Sequence, residues 1–162
     1  MGQPEFAERI LVIDDNKDFA DTLVEQLDDL GYSAQAVYDG AQGMEAYSKG
    51  EYALVITDLS MPGLDGMDVL EGILAQDSKA TILMVTGYGT IETAVQAIKL
   101  GAFDFIPKPF KLAELEAIIR RAFGRKDLEK QFSIFRGLAW GLAICIPIWI
   151  ALGYFLYKFF IK

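Results

Sequence analysis

Residues 53–66 read Ala53-Leu-Val-Ile-Thr-Asp58-Leu-Ser-Met-Pro-Gly-Leu-Asp-Gly66. The run Ala53–Thr57 is apolar without alternation, as in a strand covered on both faces, and it ends at the carboxylate of Asp58. Asp65–Gln76 then turns amphipathic, with Met67, Leu70, Ile73 and Leu74 directed inward. The same strand-then-helix unit recurs on both sides. Upstream, Ile10–Ile13 runs into Asp14-Asp15, and Phe19, Leu23, Leu27 and Leu30 mark a helix that Gly31 stops. Ser33–Val37 reads as a weaker strand, Tyr38–Gly40 as a turn and Ala41–Ser48 as a short helix. Downstream, strand Thr81–Val85 leads into Thr86-Gly87, helix Ile91–Leu100 ends at Gly101, and strand Phe103–Ile106 precedes a last helix, Leu112–Phe123. Five such units predict an α/β fold with a doubly wound, five-stranded parallel sheet over residues 1–124.

Composition narrows the chemistry. The 162 residues hold 15 Lys+Arg, 23 Asp+Glu and no histidine, for a net charge of −8. Without histidine, Ser-His-Asp and Cys-His catalysis, histidine metal sites and any phosphohistidine step within this chain are excluded. The single cysteine, Cys145, allows neither an intrachain disulfide nor a cysteine zinc site. An acidic surface argues against a general grip on nucleic acid, which needs bases to neutralise phosphates.

Ligands of an open parallel sheet bind outside the carboxyl ends of its strands. At those ends stand Asp14 and Asp15, Asp58, Thr86, and Lys108 before Pro109. A lone aspartate at a strand end is ordinarily a helix cap or turn residue. Here four strand ends carry polar groups suited to one site. Two carboxylates ~4 Å apart repel by ~4 kcal/mol at an effective dielectric near 20, so the cluster calls for a cation. All-oxygen donors point to Mg²⁺.

Asp14-Asp15, the stretch Asp58–Gly66, Thr86-Gly87 and Lys108-Pro109 together resemble the CheY-like receiver domain of two-component response regulators, over roughly residues 7–124. Thr86–Val95 and Gly101–Phe110 look closest to receivers of nitrogen-regulatory and redox-responsive regulators, which usually continue into an ATPase or a helix-turn-helix. The resemblance implies the flavodoxin-like receiver fold. It makes Asp58 the phosphoacceptor and Asp15 a direct Mg²⁺ ligand, with Asp14 acting mainly through water and the Ser60 backbone carbonyl completing the protein ligands. Thr86 and Lys108 would hold phosphoryl oxygens, Thr86 and Phe105 would form the switch, and Lys108-Pro109 would be a cis bond. Phe105 lacks the hydroxyl of the tyrosine usual at that position, so an inward ring would rest on packing alone. Ser60 and Tyr88 fall where the family tunes loss of the phosphoryl group. Tyr88 is read equally well as a shield against water or as a solvent-facing loop residue. A carboxylate is already ionised and needs no general base, so the absence of histidine is no obstacle. The donor phosphohistidine would belong to a sensor histidine kinase or a phosphotransfer protein. Enzymatic activity would be limited to self-phosphorylation from a phosphodonor and autodephosphorylation.

Residues 137–157, GLAWGLAICIPIWIALGYFLY, carry no charge. At ~1.5 Å per residue this run spans ~30 Å, one hydrocarbon core, and predicts a single C-terminal transmembrane helix with the lipid bilayer as a partner. Trp140, Tyr154 and Tyr157 lie near its ends, where interfacial rings belong. Six bases precede the span from Arg120 to Arg136, and Lys158 and Lys162 follow it, which places the receiver in the cytoplasm of a bacterial inner membrane. Residues 125–136 read as an amphipathic basic juxtamembrane linker, with Leu128, Phe132 and Phe135 on one face, and 158–162 as a short tail. The expectation is a membrane-tethered receiver without an output domain of its own. It would act through phosphorylation-controlled binding of an output partner in the membrane or cytoplasm. Two other readings remain: a phosphotransfer intermediate or phosphate sink at the membrane, and a structural subunit of a membrane assembly.

Overall fold

The computed structural model describes residues 9–47, 51–87 and 89–124. Five strands alternate with helices: β1 (Arg9–Ile13), α1 (Lys17–Asp29), β2 (Ser33–Val37), α2 (Gly40–Ala46), β3 (Leu54–Asp58), α3 (Gly66–Gln76), β4 (Ile82–Thr86), α4 (Ile91–Leu100) and β5 (Asp104–Pro107). Residues 112–124 form a further helix, α5. All neighbouring strands are parallel, in the order β2-β1-β3-β4-β5, so the chain winds outward from β1 in both directions.

Strand alternation builds two cores. Ile10, Val12, Leu54, Ile56, Leu83 and Val85 meet α1 and α5 on one face, through Leu23, Leu27, Leu115 and Ile119. Leu11, Ile13, Val55, Ile82 and Met84 meet the other face, through Val69, Leu70, Ile73 and Ala97. The three central strands are therefore apolar through their middles, with polar groups only near their ends, whereas edge strand β2 alternates between exposed and half-buried positions before Val37.

Helix starts are set by side-chain caps. Asn16, Asp39, Asp65 and Thr90 each accept a hydrogen bond from a backbone N–H of the following turn, and Asp65 and Thr90 form capping boxes with Asp68 and Thr93. Such caps contribute about 1 kcal/mol each. α4 ends at Gly101, whose φ of 113° is left-handed.

Several boundaries differ from the sequence reading. α3 begins at Gly66 because Asp65 is its cap, and α2 begins at Gly40 because Asp39 caps it. α2 stops at Ala46, where Tyr47 turns extended and stacks its buried ring on Tyr52, 6.4 Å between centroids. β3 and β4 each run one residue further than read, because Asp58 pairs with Val85 and Thr86 with Pro107 in the ladder. Val69 is buried in α3, while Met67 and Leu74 are only half-buried. Leu30 is a half-buried C-cap rather than a core residue. Among the described residues no helix is long and apolar enough to cross a membrane. The linker 125–136, the uncharged run 137–157, the tail 158–162, Ser48 and Tyr88 lie outside the described residues.

Candidate functional site

Parallel pairing aligns the carboxyl ends of β1, β3, β4 and β5 along one edge, and the site is assembled there. β1 delivers Asp14, β3 ends in Asp58, β4 ends in Thr86, and the chain leaving β5 supplies Lys108. The Lys108 ammonium lies 2.5 Å from Asp14 Oδ2 and 2.8 Å from Asp58 Oδ1. The remaining oxygens are engaged by backbone donors: the Asn16 N–H donates to Asp14 Oδ1 at 3.0 Å, and the Ser60 N–H to Asp58 Oδ2 at 2.6 Å. Asp14 and Asp58 are buried, at 2% and 7% exposure, so their charges are tolerable only because every oxygen is hydrogen-bonded and an ammonium lies between them.

Asp15, Ser60 and Thr86 take different positions. Asp15 and Ser60 are exposed, and Thr86 is fully buried. Lys108 is tied to β4 through its backbone N–H, which donates to the Thr86 carbonyl at 2.7 Å. The Lys108-Pro109 bond is cis. Phe105 is half-buried on the α3/α4 side of the sheet. A Cβ added to Gly89 would lie 2.4 Å from Phe105 Cζ and 2.7 Å from Thr86 Cγ2, so the Gly89 backbone runs directly against both side chains. The loop between β3 and α3 is equally close: a Cβ on Gly66 would lie 2.2 Å from the Asp58 carbonyl oxygen.

Phe19, one of the apolar residues whose spacing marks α1, has two neighbourhoods. The ring packs against the α1/α5 core, and the Lys108 Nζ stands 3.9 Å from its centroid. Phe110 forms a T-shaped pair with the same ring, 6.1 Å between centroids at 87°. Beside them opens a cavity of about 570 Å³, lined by Phe19, Leu23, Gln26, Lys108, Phe110 and Leu112 among others. Asn16 was also missed; its backbone N–H holds Asp14 and its side chain caps α1, accepting from the Phe19 N–H at 3.1 Å.

Asp14 lies above its ordinary pKa, because burial penalises the carboxylate more than the hydrogen bond and charge of Lys108 favour it; Asp58 adds a further repulsion. Native Asp14 therefore holds its proton to higher pH than the unfolded chain does. Stability falls as pH rises from the unfolded value of 3.8 through the raised native one. Asp14→Asn is expected to remove this penalty and raise the Tm at pH 7, with divalent cations chelated, by about 3 °C. Melting curves at pH 4 and pH 7 check this: the variant should gain at pH 7 and little at pH 4.

Among the described residues no group of three or more acidic, histidine or cysteine side chains is gathered closely enough to hold a metal ion. The donors at this edge, carboxylates and a backbone carbonyl, are nonetheless the hard oxygen type that suits Mg²⁺.

The response regulator receiver domain profile matches residues 10–120. This chain is a response regulator receiver. Receivers of this family serve two-component signalling, are phosphorylated on an aspartate, typically with Mg²⁺, and are non-enzymatic apart from self-phosphorylation and autodephosphorylation. The transcriptional regulatory protein FixJ of Bradyrhizobium diazoefficiens is 40% identical over 118 residues, covering 73% of this chain and 58% of that relative. An uncharacterized transcriptional regulatory protein of Bacillus subtilis, YkoG, is 35% identical over 113 residues, covering 70% of this chain and 50% of the relative. The chain thus spans about half the length of these curated relatives. Among solved structures, a receiver domain protein from Clostridium thermocellum superposes with a TM-score of 0.72 at 31% identity, covering 75% of this chain and 98% of that one. The receiver domain of NtrX from Brucella abortus gives 0.67 at 38% identity, covering 71% and 98%.

Proposed function

We propose that this receiver takes a phosphoryl group on Asp58 from a histidine kinase or phosphotransfer protein, and that it is tethered to a membrane through residues 137–157. Its output would be phosphorylation-controlled binding of a protein in the membrane or cytoplasm. The observation that carries the site assignment is the double ion pair of Lys108 with Asp14 and Asp58. The tether is supported by the 21 consecutive uncharged residues and by the bases that precede them.

In the transfer, an Asp58 carboxylate oxygen forms a bond to phosphorus as the bond from phosphorus to the donor nitrogen breaks. No proton leaves the nucleophile, which is already ionised. The Lys108 ammonium, 2.8 Å from Asp58 Oδ1, moves its pairing to a phosphoryl oxygen and offsets the charge spread over those oxygens. The Ser60 N–H holds Asp58 Oδ2 and fixes the plane of the carboxylate. Asp15 and Asp58 would hold Mg²⁺ directly, together with the Ser60 carbonyl, and Asp14 mainly through water. When bound, the ion adds positive charge at the phosphoryl oxygens. Thr86 donates its hydroxyl to a phosphoryl oxygen. Gly89, lying against both Thr86 and Phe105, passes that displacement to the Phe105 ring and to α4.

The test uses the full chain in membranes or detergent, with acetyl phosphate as donor. The intact mass should rise by one phosphoryl group with Mg²⁺ and stay unchanged when divalent cations are chelated. The same chain should sediment with membranes and remain there after an alkaline carbonate wash. Labelling that ignores chelation would overturn the metal assignment, and release by carbonate would overturn the tether.

A further inference from the structure

We infer that Phe19 is a positioning residue for phosphoryl transfer, its ring face holding the Lys108 ammonium over the acceptor carboxylate. The inference rests on the reading of Asp58 as phosphoacceptor. The Lys108 Nζ stands 3.9 Å from the ring centroid, inside the ~6 Å range of cation–π attraction. Of the three N–H bonds of this ammonium, two serve Asp14 and Asp58; the ring face is a third neighbour of the same nitrogen.

The ring is itself fixed from two directions. Its backbone N–H donates to the Asn16 side chain at 3.1 Å, anchoring it in the first turn of α1. The ring also makes a T-shaped pair with Phe110, 6.1 Å between centroids at 87°, on the loop that carries Lys108. Phe19 therefore joins the segment after β1 to the segment after β5, and the joint lies at the ammonium.

The function of such a contact follows from what must change during transfer. During transfer the ammonium must exchange its Asp58 oxygen for a phosphoryl oxygen while Asp14 continues to attract it. The ring's attraction does not depend on the ionisation of Asp58, so it persists while the ionic pairing is exchanged. Half-burial of the ring keeps water from one side of the ammonium and strengthens the attraction.

Phe19→Leu keeps the apolar bulk and removes the ring face. Its phosphorylation rate with acetyl phosphate and Mg²⁺ should fall on the order of tenfold, and Phe19→Tyr should restore it. A second readout needs neither donor nor metal: in protein with ¹³C-labelled lysine, one side-chain methylene signal should be displaced upfield by the ring, present in the parent and Phe19→Tyr and lost in Phe19→Leu and Lys108→Arg. An unchanged rate and unchanged signal in Phe19→Leu would overturn the inference while leaving Asp58 as acceptor. Equal slowing in Phe19→Leu and Phe19→Tyr would assign the residue to packing and overturn it as well. Labelling that survives Asp58→Asn would remove the acceptor reading, and the inference with it.

Discussion

Asp58→Asn is expected to reduce phosphoryl incorporation to background with every donor, while the fold is retained. The amide is close in shape to the carboxylate but is not a nucleophile. Its oxygen still accepts from the Ser60 N–H, which donates to Asp58 Oδ2 at 2.6 Å in the parent. Lys108 keeps Asp14, 2.5 Å away, as its counter-ion, so the substitution leaves one buried carboxylate and one ammonium in place of two carboxylates and one ammonium. That is a better-balanced site, and the Tm should not drop. The label on the parent should have the base lability of an acyl phosphate. Persistent labelling of the variant would move the acceptor elsewhere, and loss of both label and Tm would show that the carboxylate has a structural duty the geometry does not account for.

Gly66→Ala should have the largest effect on stability. The added methyl would lie 2.2 Å from the Asp58 carbonyl oxygen and 2.8 Å from Leu59 Cα. Both obstacles are backbone, and the loop is pinned by the Gly66 N–H donating to the Leu59 carbonyl at 2.9 Å. Either the first turn of α3 or the end of β3 must shift, at a cost of about 3 kcal/mol. A shift at β3 would carry Asp58 away from Lys108, so phosphorylation should slow together with the loss of Tm, which we expect to be about 10 °C. Two other glycines serve as comparisons. Gly63 has open space around its Cβ position but a φ of 83°, so Gly63→Ala should cost only the ~1 kcal/mol of left-handed strain. Gly87 has neither obstacle nor positive φ, and Gly87→Ala should fall within ~0.5 kcal/mol of the parent. If all three substitutions cost the same, the close approach at Gly66 would not be the cause.

What could be read from the residues alone follows from how local each signal is. Apolar strands that terminate in Asp14, Asp58 and Thr86 announce both the sheet and the edge where its chemistry collects, because strand composition and the polar end lie within a few residues of one another. The starts of α2 and α3 were legible to within a residue: Gly40 belongs to its helix rather than to the turn before it, and Asp65 caps its helix rather than beginning it. Phe19 shows the limit. Helical spacing tells which face a ring occupies, and the core-facing stripe of α1 includes it, but only the fold brings in the ammonium from β5. The close approaches at Gly66 and Gly89 are illegible for a similar reason: contact of a backbone with a distant segment or side chain leaves no trace in either by itself. Asp14 and Asp15 are adjacent in sequence, and only the fold shows that Asp14 is buried after the end of β1 while Asp15, in the bend that follows, is exposed.

The ion pair between Lys108 and Asp14 joins positions 94 residues apart. On a ribosome adding about 5–20 residues per second, the first aspartate emerges roughly 5–20 s before the ammonium that neutralises it. Until then Asp14 and Asp58 lack the ammonium that lies between them in the folded protein, and burying them together is unfavourable. The edge of the sheet that carries Asp58 thus closes late in synthesis, when β5, the last of the described strands, docks. A nascent chain cut off after α4 holds Asp58 but not the ammonium that pairs with it, so this end of the sheet stays electrostatically incomplete until β5 and the loop after it are made.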